Sequence, residues 1–301
     1  MKMSGSDEKI LLLMGMVVLT VAVRAIDEDP TGFVTWGHNY YKTWGQPALV
    51  INETSELHLT LDHKSGSGFE SNSIYGSGSF NMRIKAPQTK STRVVTSFYL
   101  MSKSSRNDQL CFQIFGNGPA YLLNTNIFIN GEGDKDQRFH LWFDPTKNYH
   151  SYRFLWNQHQ LVFYVDDTPI RVYRKNPGIS YPSVQTMFMH GSVKNGSIVD
   201  PKEMPYTAEF QASTIDGCVT DFFGIQKCFG PEFWWNRKEN WQLSSRERKL
   251  YMNARKVYMD YDYCSDRKLY PEVPKEFMED QNKNVWLWSY VAASKNKKLY
   301  L

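Results

Sequence analysis

Several features that mark common kinds of functional site are absent from this chain of 301 residues. It has no block of Lys and Arg residues and a formal net charge of only +4, so we expect no nucleic-acid partner. The 7 His residues form neither a His-x-x-x-His pair nor a Cys/His cluster, so we expect no metal site and no cofactor. Neither Gly66-Ser67-Gly68 nor Gly76-Ser77-Gly78 completes a nucleophile elbow, and we predict a turn at each.

Long apolar runs are rare, and the one candidate lies at residues 10–23. It follows Lys2 and Lys9 and precedes Val23-Arg24-Ala25, a pattern typical of a secretory signal peptide over residues 1–25. A transmembrane anchor is the alternative, but the run is short for a bilayer. We therefore expect a secreted, extracellular protein with no membrane attachment after signal cleavage.

Cysteine is scarce, with 4 residues, and in a secreted protein most of them should pair. Cys218 and Cys228 are close in sequence and flank a short loop, so we predict a disulfide between them. Cys264 has no obvious mate. For Cys111 we expect a buried free thiol rather than a reactive one, because unpaired cysteines are usually buried.

Aromatic residues are abundant, at 15%, and many short segments alternate between apolar and polar positions. The predicted strands include residues 57–61, 79–85, 94–100, 107–117 and 152–156. Turn residues separate them at positions 65–68, 75–78, 130–131 and 144–145, and Asp166-Asp167 is predicted to be a hairpin turn rather than a ligand pair. This spacing predicts an antiparallel sandwich or jelly roll.

A different pattern begins near residue 240. Ser244 and Glu247 form a capping box, and the apolar spacing predicts a helix over residues 245–257, followed by a strand over 258–263. We expect one β domain over residues 26–217 and an extension of it over 218–276. The tail, residues 277–301, is polar apart from its apolar stretch at 285–288, and we expect it to be poorly ordered.

The strand predicted over residues 107–117 has an unusual composition. Alternation places Gln109, Cys111 and Gln113 on one face and directs Leu110, Phe112 and Ile114 into the core. This spacing suits two inward-leaning catalytic carboxylates about 5 Å apart. Glutamine has the shape of glutamate, but it neither gives up a proton near neutral pH nor attacks as an anion.

The chain resembles the plant xyloglucan endotransglucosylase/hydrolases of glycoside hydrolase family 16 over most of residues 32–276. The stretches that carry the resemblance are 65–71 (SGSGFES), 137–147 (QRFHLWFDPTK), 156–160 (WNQHQ), 165–171 (VDDTPIR) and 261–264 (YDYC). It implies an all-β, concanavalin-like jelly-roll sandwich with an open cleft, extended by a C-terminal helix and strand.

The resemblance also implies roles for the unusual strand, because the family motif there is His-Asp-Glu-Ile-Asp-Phe-Glu-Phe-Leu-Gly. Asp108 is kept. The nucleophile falls on Gln109, the assisting aspartate on Cys111 and the acid/base glutamate on Gln113, so no catalytic carboxylate is intact. The family cysteine that would pair with Cys264 falls on Phe277.

Other family features change as well. The Trp-rich substrate loop aligns with residues 191–198, and no Trp occurs between Trp156 and Trp234, so a sugar-stacking platform is expected to be lost. The family His-Thr-Asn is Asn124-Thr125-Asn126 here. The motif at Asn117-Gly118-Pro119 cannot be glycosylated, whereas Asn52 and Asn195 begin acceptor motifs.

These observations favour a non-catalytic wall protein, a monomer that binds xyloglucan or another β-glucan. The expected sugar-binding side chains are Gln109, Gln113, Asn124, Asn126, Gln137 and Arg138. Two alternatives stay open: an enzyme that keeps the family activity by an atypical route, and a decoy or scaffold that binds a wall protein. A sandwich strand with no ligand is also compatible with this composition.

Overall fold

The computed structural model describes residues 36–45, 49–51, 56–89, 91, 93–116, 121–195 and 203–276. The predicted signal peptide, the acceptor motif at Asn52 and the tail beyond Glu276 lie outside these residues. No helix within the described ranges is both long enough and apolar enough to cross a membrane.

Strands form most of the described chain. Their bounds are β1 Tyr40–Gly45, β2 Leu49–Ile51, β3 Glu56–Leu61, β4 Ser67–Lys85, β5 Val94–Met101, β6 Gln109–Phe115, β7 Leu122–Phe128, β8 Gln137–His140, β9 His150–Trp156, β10 Gln160–Val165, β11 Thr168–Arg174, β12 Met187–Asn195, β13 Tyr206–Val219 and β14 Met259–Asp262. The helices are α1 Trp36–Asn39, a single turn, and α2 Ser245–Tyr258. Short 3-10 turns span Ile225–Phe229, Trp234–Asn236, Lys238–Asn240 and Tyr263–Ser265.

All strand pairs are antiparallel, and they form two packed layers that share β4. In the front layer, the first half of β4 pairs with β1 and β12, and the order continues through β5, β6, β7, β8 and β14. In the back layer, the second half of β4 pairs with β13 and β9, followed by β10 and β11. This curled arrangement is the predicted jelly-roll-like sandwich.

The turn predicted at residues 75–78 was wrong, because these residues lie inside β4 where it passes from one layer to the other. Gly76 serves a close approach: a Cβ at this position would lie 2.8 Å from the Cys228 sulfur. The turn predicted at 65–68 was wrong for its second half, since β4 begins at Ser67. The hairpin turn at Asp166-Asp167 is confirmed between β10 and β11.

The core between the layers is built from aromatic side chains. Phe112 of β6 contacts Phe154 and Phe163 of the back layer, with ring centroids 4.7 and 5.1 Å apart, and stacks beside Phe98 of β5. These rings are fully buried. Such packing fixes which face of β6 points outward, because a one-residue slip would move every apolar side chain to the other face.

The C-terminal segment covers the outside of the back layer and then joins the edge of the front layer. Trp235 and Leu243 pack with Val162 and with the predicted Cys218–Cys228 disulfide, which the structure contains, and the Asn157 amide donates to the Trp235 carbonyl at 2.8 Å. Strand β14 then pairs with β8 and extends the front layer by one strand. Cys111 is a buried free thiol, as predicted, and Cys264, whose pairing the sequence left open, is a buried free thiol too.

The predicted helix α2 forms one residue longer than expected, and its capping box is present: the Ser244 hydroxyl accepts from the Glu247 N–H, and the Glu247 carboxylate accepts from the Ser244 N–H. We predict that Ser244→Ala lowers the free energy of unfolding by about 1 kcal/mol, since the cap satisfies an otherwise unpaired N–H. Urea unfolding followed by circular dichroism measures this. The neighbouring Ser245→Ala, on an exposed side chain outside the cap, is the control; equal losses in the two variants would contradict the assignment.

The Asp108 side chain, directly before β6, also stabilises the backbone near it. Its carboxylate is buried and accepts from the Asn130 N–H at 2.8 Å, which holds the turn at Asn130-Gly131. Burial raises the pKa of Asp108 to about 6, although the Asn130 N–H opposes this.

Because this pKa lies above the unfolded value near 3.9, the folded state binds more protons between about pH 4 and 6. The Asp108 contribution to stability is therefore fully present below about pH 4 and is lost as the pH rises to about 6, by roughly 3 kcal/mol. We predict that Asp108→Asn removes this part of the pH dependence. Urea midpoints of both proteins from pH 4 to 7 measure it, and parallel profiles would contradict the prediction.

Candidate functional site

Strand β6 lies in the middle of the front layer and alternates as predicted. Leu110, Phe112 and Ile114 are buried in the core, whereas Gln109 and Gln113 are partly exposed on the outward face. Cys111 also points outward, yet it is only 2% exposed. Burial raises the pKa of its thiol to about 12, so the thiol stays protonated and is a poor nucleophile.

The outward face of the front layer is recessed around β6, and we call this recess the cleft. Ser97 of β5 pairs with Gln113 and with Ser192 of β12, so the three share one face. Ser97 and Ser192 are both 3% exposed although they face away from the core. Longer side chains must therefore surround these small residues, as in a groove that crosses the strands.

One row of paired residues brings together three of the predicted binding side chains. Gln113 pairs with Asn124 of β7, and Asn124 pairs with Arg138 of β8. The Asn124 amide nitrogen donates to the Gln113 carbonyl oxygen at 3.2 Å. An open pocket of about 360 Å³ adjoins this row and is lined by Phe115, Asn124, Asp136, Arg138 and Tyr261.

Arg138 borders this pocket with its charge already paired. Its guanidinium Nε donates to an Asp260 carboxylate oxygen at 2.6 Å, and its Cζ lies 5.5 Å from the centre of the Tyr261 ring. Asp260 and Tyr261 belong to β14, so the C-terminal extension completes this end of the cleft. The combination offers planar hydrogen-bonding and ring surfaces, both suited to sugars.

The remaining predicted binding residues differ in position. Gln109 is partly exposed at the other end of β6. The Asn126 side chain is bound to nearby backbone: its amide oxygen Oδ1 accepts from the N–H groups of Ile127 and Lys135 at 2.7 and 3.1 Å. The prediction for Gln137 was wrong: strand alternation puts it on the face opposite Arg138, where it is 2% exposed and donates to Asp262 at 3.2 Å.

The expectation of a loop at residues 191–198 was wrong for its first five residues, which belong to strand β12. These residues pair with β5 along their whole length, which leaves no room for a loop there. Asn195 ends the strand opposite Val94 with an exposed side chain. Its glycosylation stays a prediction, because the rest of the motif lies outside the described residues.

Sequence analysis missed a polar cluster in the row that passes through Cys111. This row continues through Tyr99 and His190 to Glu70. The Glu70 carboxylate accepts from the Tyr41 hydroxyl and lies 2.6 Å from the Lys103 ammonium nitrogen. These side chains come from strands β1, β4, β5, β6 and β12 and from the segment after β5, and only their register across the sheet reveals the cluster.

His190 adds an aromatic surface to this cluster. Its ring stacks on Tyr99 with centroids 4.7 Å apart and an angle of 3° between the planes, and its Nδ1 lies 3.7 Å from Glu70. Burial lowers the pKa of His190 to about 4, against the opposing effect of Glu70. The ring is therefore neutral at neutral pH, and Lys103 is the cationic partner of Glu70.

Asp136 was also missed. It precedes β8 and borders the pocket, and its carboxylate accepts from the Asn124 amide nitrogen at 2.5 Å. The signal available in the sequence was the acidic position directly before Gln137 and Arg138. Its pairing with Asn124 depends on the register of β7 and β8.

A group of possible metal ligands lies away from the cleft. Carboxylate and ring atoms of Glu56, His58 and Glu209 lie within 4.8 Å of one another on β3 and β13. The Lys85 ammonium and the Tyr149 hydroxyl already donate to Glu209, each at 2.9 Å. A cation would have to displace these donors, so the group is best described as an ion-pair and hydrogen-bond network.

Comparison with known proteins agrees with this architecture. The family model for glycosyl hydrolases family 16 matches residues 36–216, and the model for the xyloglucan endo-transglycosylase C-terminus matches residues 230–276. A probable xyloglucan endotransglucosylase/hydrolase protein 11 from Arabidopsis thaliana is 71% identical, over 91% of this chain and 98% of that protein. Xyloglucan endotransglucosylase/hydrolase protein 3 from the same plant is 43% identical, over 88% of this chain and 98% of its own length.

Solved structures show the same fold at low identity. A Bacillus licheniformis β-glucanase superimposes with a TM-score of 0.51 at 18% identity, over 61% of this chain and 96% of that chain. A laminarinase from Flavobacterium gives a TM-score of 0.51 at 12% identity, over the same shares of both chains. Together with the family models and the sequence relatives, these matches lead to one conclusion. The chain belongs to glycosyl hydrolases family 16 and, within it, to the xyloglucan endotransglucosylase/hydrolases.

Proposed function

We propose that this protein is secreted to the cell wall and binds xyloglucan or a related β-glucan there without cleaving it. The observation that carries the proposal is the composition of the cleft side of β6: the positions that the family motif gives to three carboxylates hold Gln109, Cys111 and Gln113. The family membership supports a glucan as the ligand. The leader-like residues 1–25 support secretion.

The chemistry of the replaced residues argues against turnover. A retaining mechanism needs an anionic nucleophile and a proton donor on opposite sides of the bond. Neither amide supplies them, and the buried Cys111 thiol keeps its proton. Removing groups that act as a unit typically lowers rates by several orders of magnitude.

The other acidic side chains nearby are poorly placed to substitute. Glu70 is three strands from Cys111, roughly 14 Å at the usual strand spacing, and it is bound to Lys103. Asp108 is buried and bound to the Asn130 backbone. Asp136 is held by Asn124 and has no second carboxylate beside it among the contacts described.

What the cleft retains suits binding. Amide groups of Gln113 and Asn124 can exchange hydrogen bonds with sugar hydroxyls, since each carries both donors and acceptors. Trp44 and Tyr41 of β1, and Tyr261 of β14, supply aromatic rings at the two edges of the front layer. Such rings stack on the apolar faces of sugar rings in place of the missing tryptophan platform.

A second candidate is a scaffold that binds a wall protein. It is favoured by Phe222 and Phe223 in the disulfide loop, which are 56% and 96% exposed. Two adjacent exposed phenylalanines are uncommon on a monomer without a partner. No feature of the cleft itself favours this second candidate.

Binding and transfer assays test the proposal directly. We predict that the purified secreted protein is retained on insoluble xyloglucan or cellulose, and that it transfers no xyloglucan to a labelled oligosaccharide above a heat-killed control. A catalytically active relative provides the positive control for transfer. Transfer above background would overturn the non-catalytic proposal, and no retention on either polymer would favour the protein-binding scaffold.

Restoring the charges tests the explanation for inactivity. We predict that Gln109→Glu, Cys111→Asp and Gln113→Glu together give at least trace cleavage of xyloglucan, because the backbone that carries them is intact. Release of reducing ends measures this, and circular dichroism checks folding, since the Asp replaces a buried thiol.

The control for added negative charge is Gln242→Glu, which changes an exposed side chain in the C-terminal segment just before helix α2. A folded triple variant that releases no reducing ends from xyloglucan would contradict this explanation. It would assign the defect instead to the cleft surface, where β12 carries no tryptophan.

A further inference from the structure

Three side chains in the part of the cleft between β6 and β8 form a continuous series of hydrogen bonds. The Asn124 Nδ2 group donates to Asp136 Oδ1 at 2.5 Å and to Gln113 Oε1 at 3.2 Å. Asp136 and Asn124 also border the open pocket. Gln113 therefore does not turn freely, because its carbonyl oxygen is held from one side.

The Asp136 carboxylate determines which groups donate and which accept in these hydrogen bonds. An ionised carboxylate only accepts hydrogen bonds, so the group that Asn124 turns toward Asp136 must be its NH₂. The same NH₂ faces Gln113, which must then offer its oxygen. The orientation of two amides, normally ambiguous by shape alone, is thus fixed by one acidic neighbour.

This orientation decides what Gln113 presents to a ligand. With Oε1 engaged by Asn124, the Nε2 group is directed away from it, and Nε2 makes no hydrogen bond to any residue in the described part of the chain. Gln113 is partly exposed on the cleft face. It therefore offers N–H donors to the cleft.

A matching ligand group is one that accepts hydrogen bonds. Sugar hydroxyls both donate and accept, so they would tolerate either end of the amide, whereas the bridging oxygen of a glycosidic bond only accepts and therefore requires the N–H end. A glutamic acid at this position donates only while it is protonated. Gln113 donates at every pH at which the protein is folded.

We propose that Asp136, acting through Asn124, positions the Gln113 amide with its N–H groups toward the cleft, so that the cleft holds the bridging oxygen of an intact β-glucan. This inference rests on the proposed glucan-binding function and specifies how the site recognises its ligand. Asp136 and Asn124 are positioning residues, and Gln113 touches the sugar.

Exchanging the two positioning residues reverses the direction of these hydrogen bonds without changing the charge or composition of the protein. In the double variant Asn124→Asp and Asp136→Asn, the carboxylate at position 124 accepts from both neighbours. Gln113 must then donate its Nε2 group to position 124 and turn its oxygen to the cleft. Two acceptors would face each other at the bridging oxygen, which costs a hydrogen bond and adds repulsion.

We expect the double variant to bind a xyloglucan oligosaccharide and cellotetraose at least tenfold more weakly than wild type by isothermal titration calorimetry. The conservative variant Asp136→Glu keeps an acceptor-only group and is expected to retain most of the affinity. Thermal unfolding checks that both variants are folded. Affinity in a folded double variant equal to that of wild type would overturn the inference.

Neutron diffraction of unliganded crystals supplies a readout that needs no sugar. In wild type and Asp136→Glu, the deuterons of Gln113 are expected on the cleft side, and in the double variant on the side of position 124. In wild type, deuterons bound to the Gln113 nitrogen and lying on the side of Asn124 would overturn the positioning role. If wild type binds neither sugar, the glucan-binding function and the ligand part of this inference both fail, while the deuteron positions still decide the role of Asp136.

Discussion

The packing of β6 against the back layer is the constraint on which the site depends. Phe112 is enclosed by rings from both layers, with Leu110 and Ile114 buried on either side. Burying each of these side chains contributes roughly 2 kcal/mol, and slipping the strand by one residue would expose all three. Gln109, Cys111 and Gln113 consequently have no choice of face. The cleft is shaped by the core beneath it, so its chemistry can change without loss of the fold.

This separation explains how the charge at three family positions can be absent while the surroundings stay ordered. A glutamine fills nearly the volume of a glutamate and keeps its hydrogen-bonding geometry, and the buried Cys111 needs no counter-charge. Two of the neighbouring polar side chains have polar partners of their own: Asn124 donates to Asp136, and Glu70 contacts Tyr41 and Lys103. Two like carboxylates at close range would each raise the pKa of the other. With neutral side chains at these three positions, the cleft avoids that electrostatic cost.

Alternation along single strands allowed much of this to be predicted from the sequence. The two faces of β6, the capped helix α2, the turn at Asp166-Asp167 and the disulfide all depend on residues close in sequence. The errors and omissions depend on relations between segments. Gly76 looked like a turn residue because nothing in the sequence reveals Cys228 lying against it.

The same distinction accounts for the site residues. Alternation puts Gln137 and Arg138 on opposite faces, but the pairing of β8 with β7 and β14 decides which of the two faces the core. The cluster around Glu70 and the contact of Asp136 with Asn124 likewise require the register of several strands. These contacts can affect function only because the register of the strands brings their residues together. An acidic residue isolated on the surface would only add charge, whereas Asp136, held one amide away from Gln113, determines whether the centre of the cleft donates or accepts a hydrogen bond. In the non-catalytic site that we propose, that choice distinguishes one ligand from another.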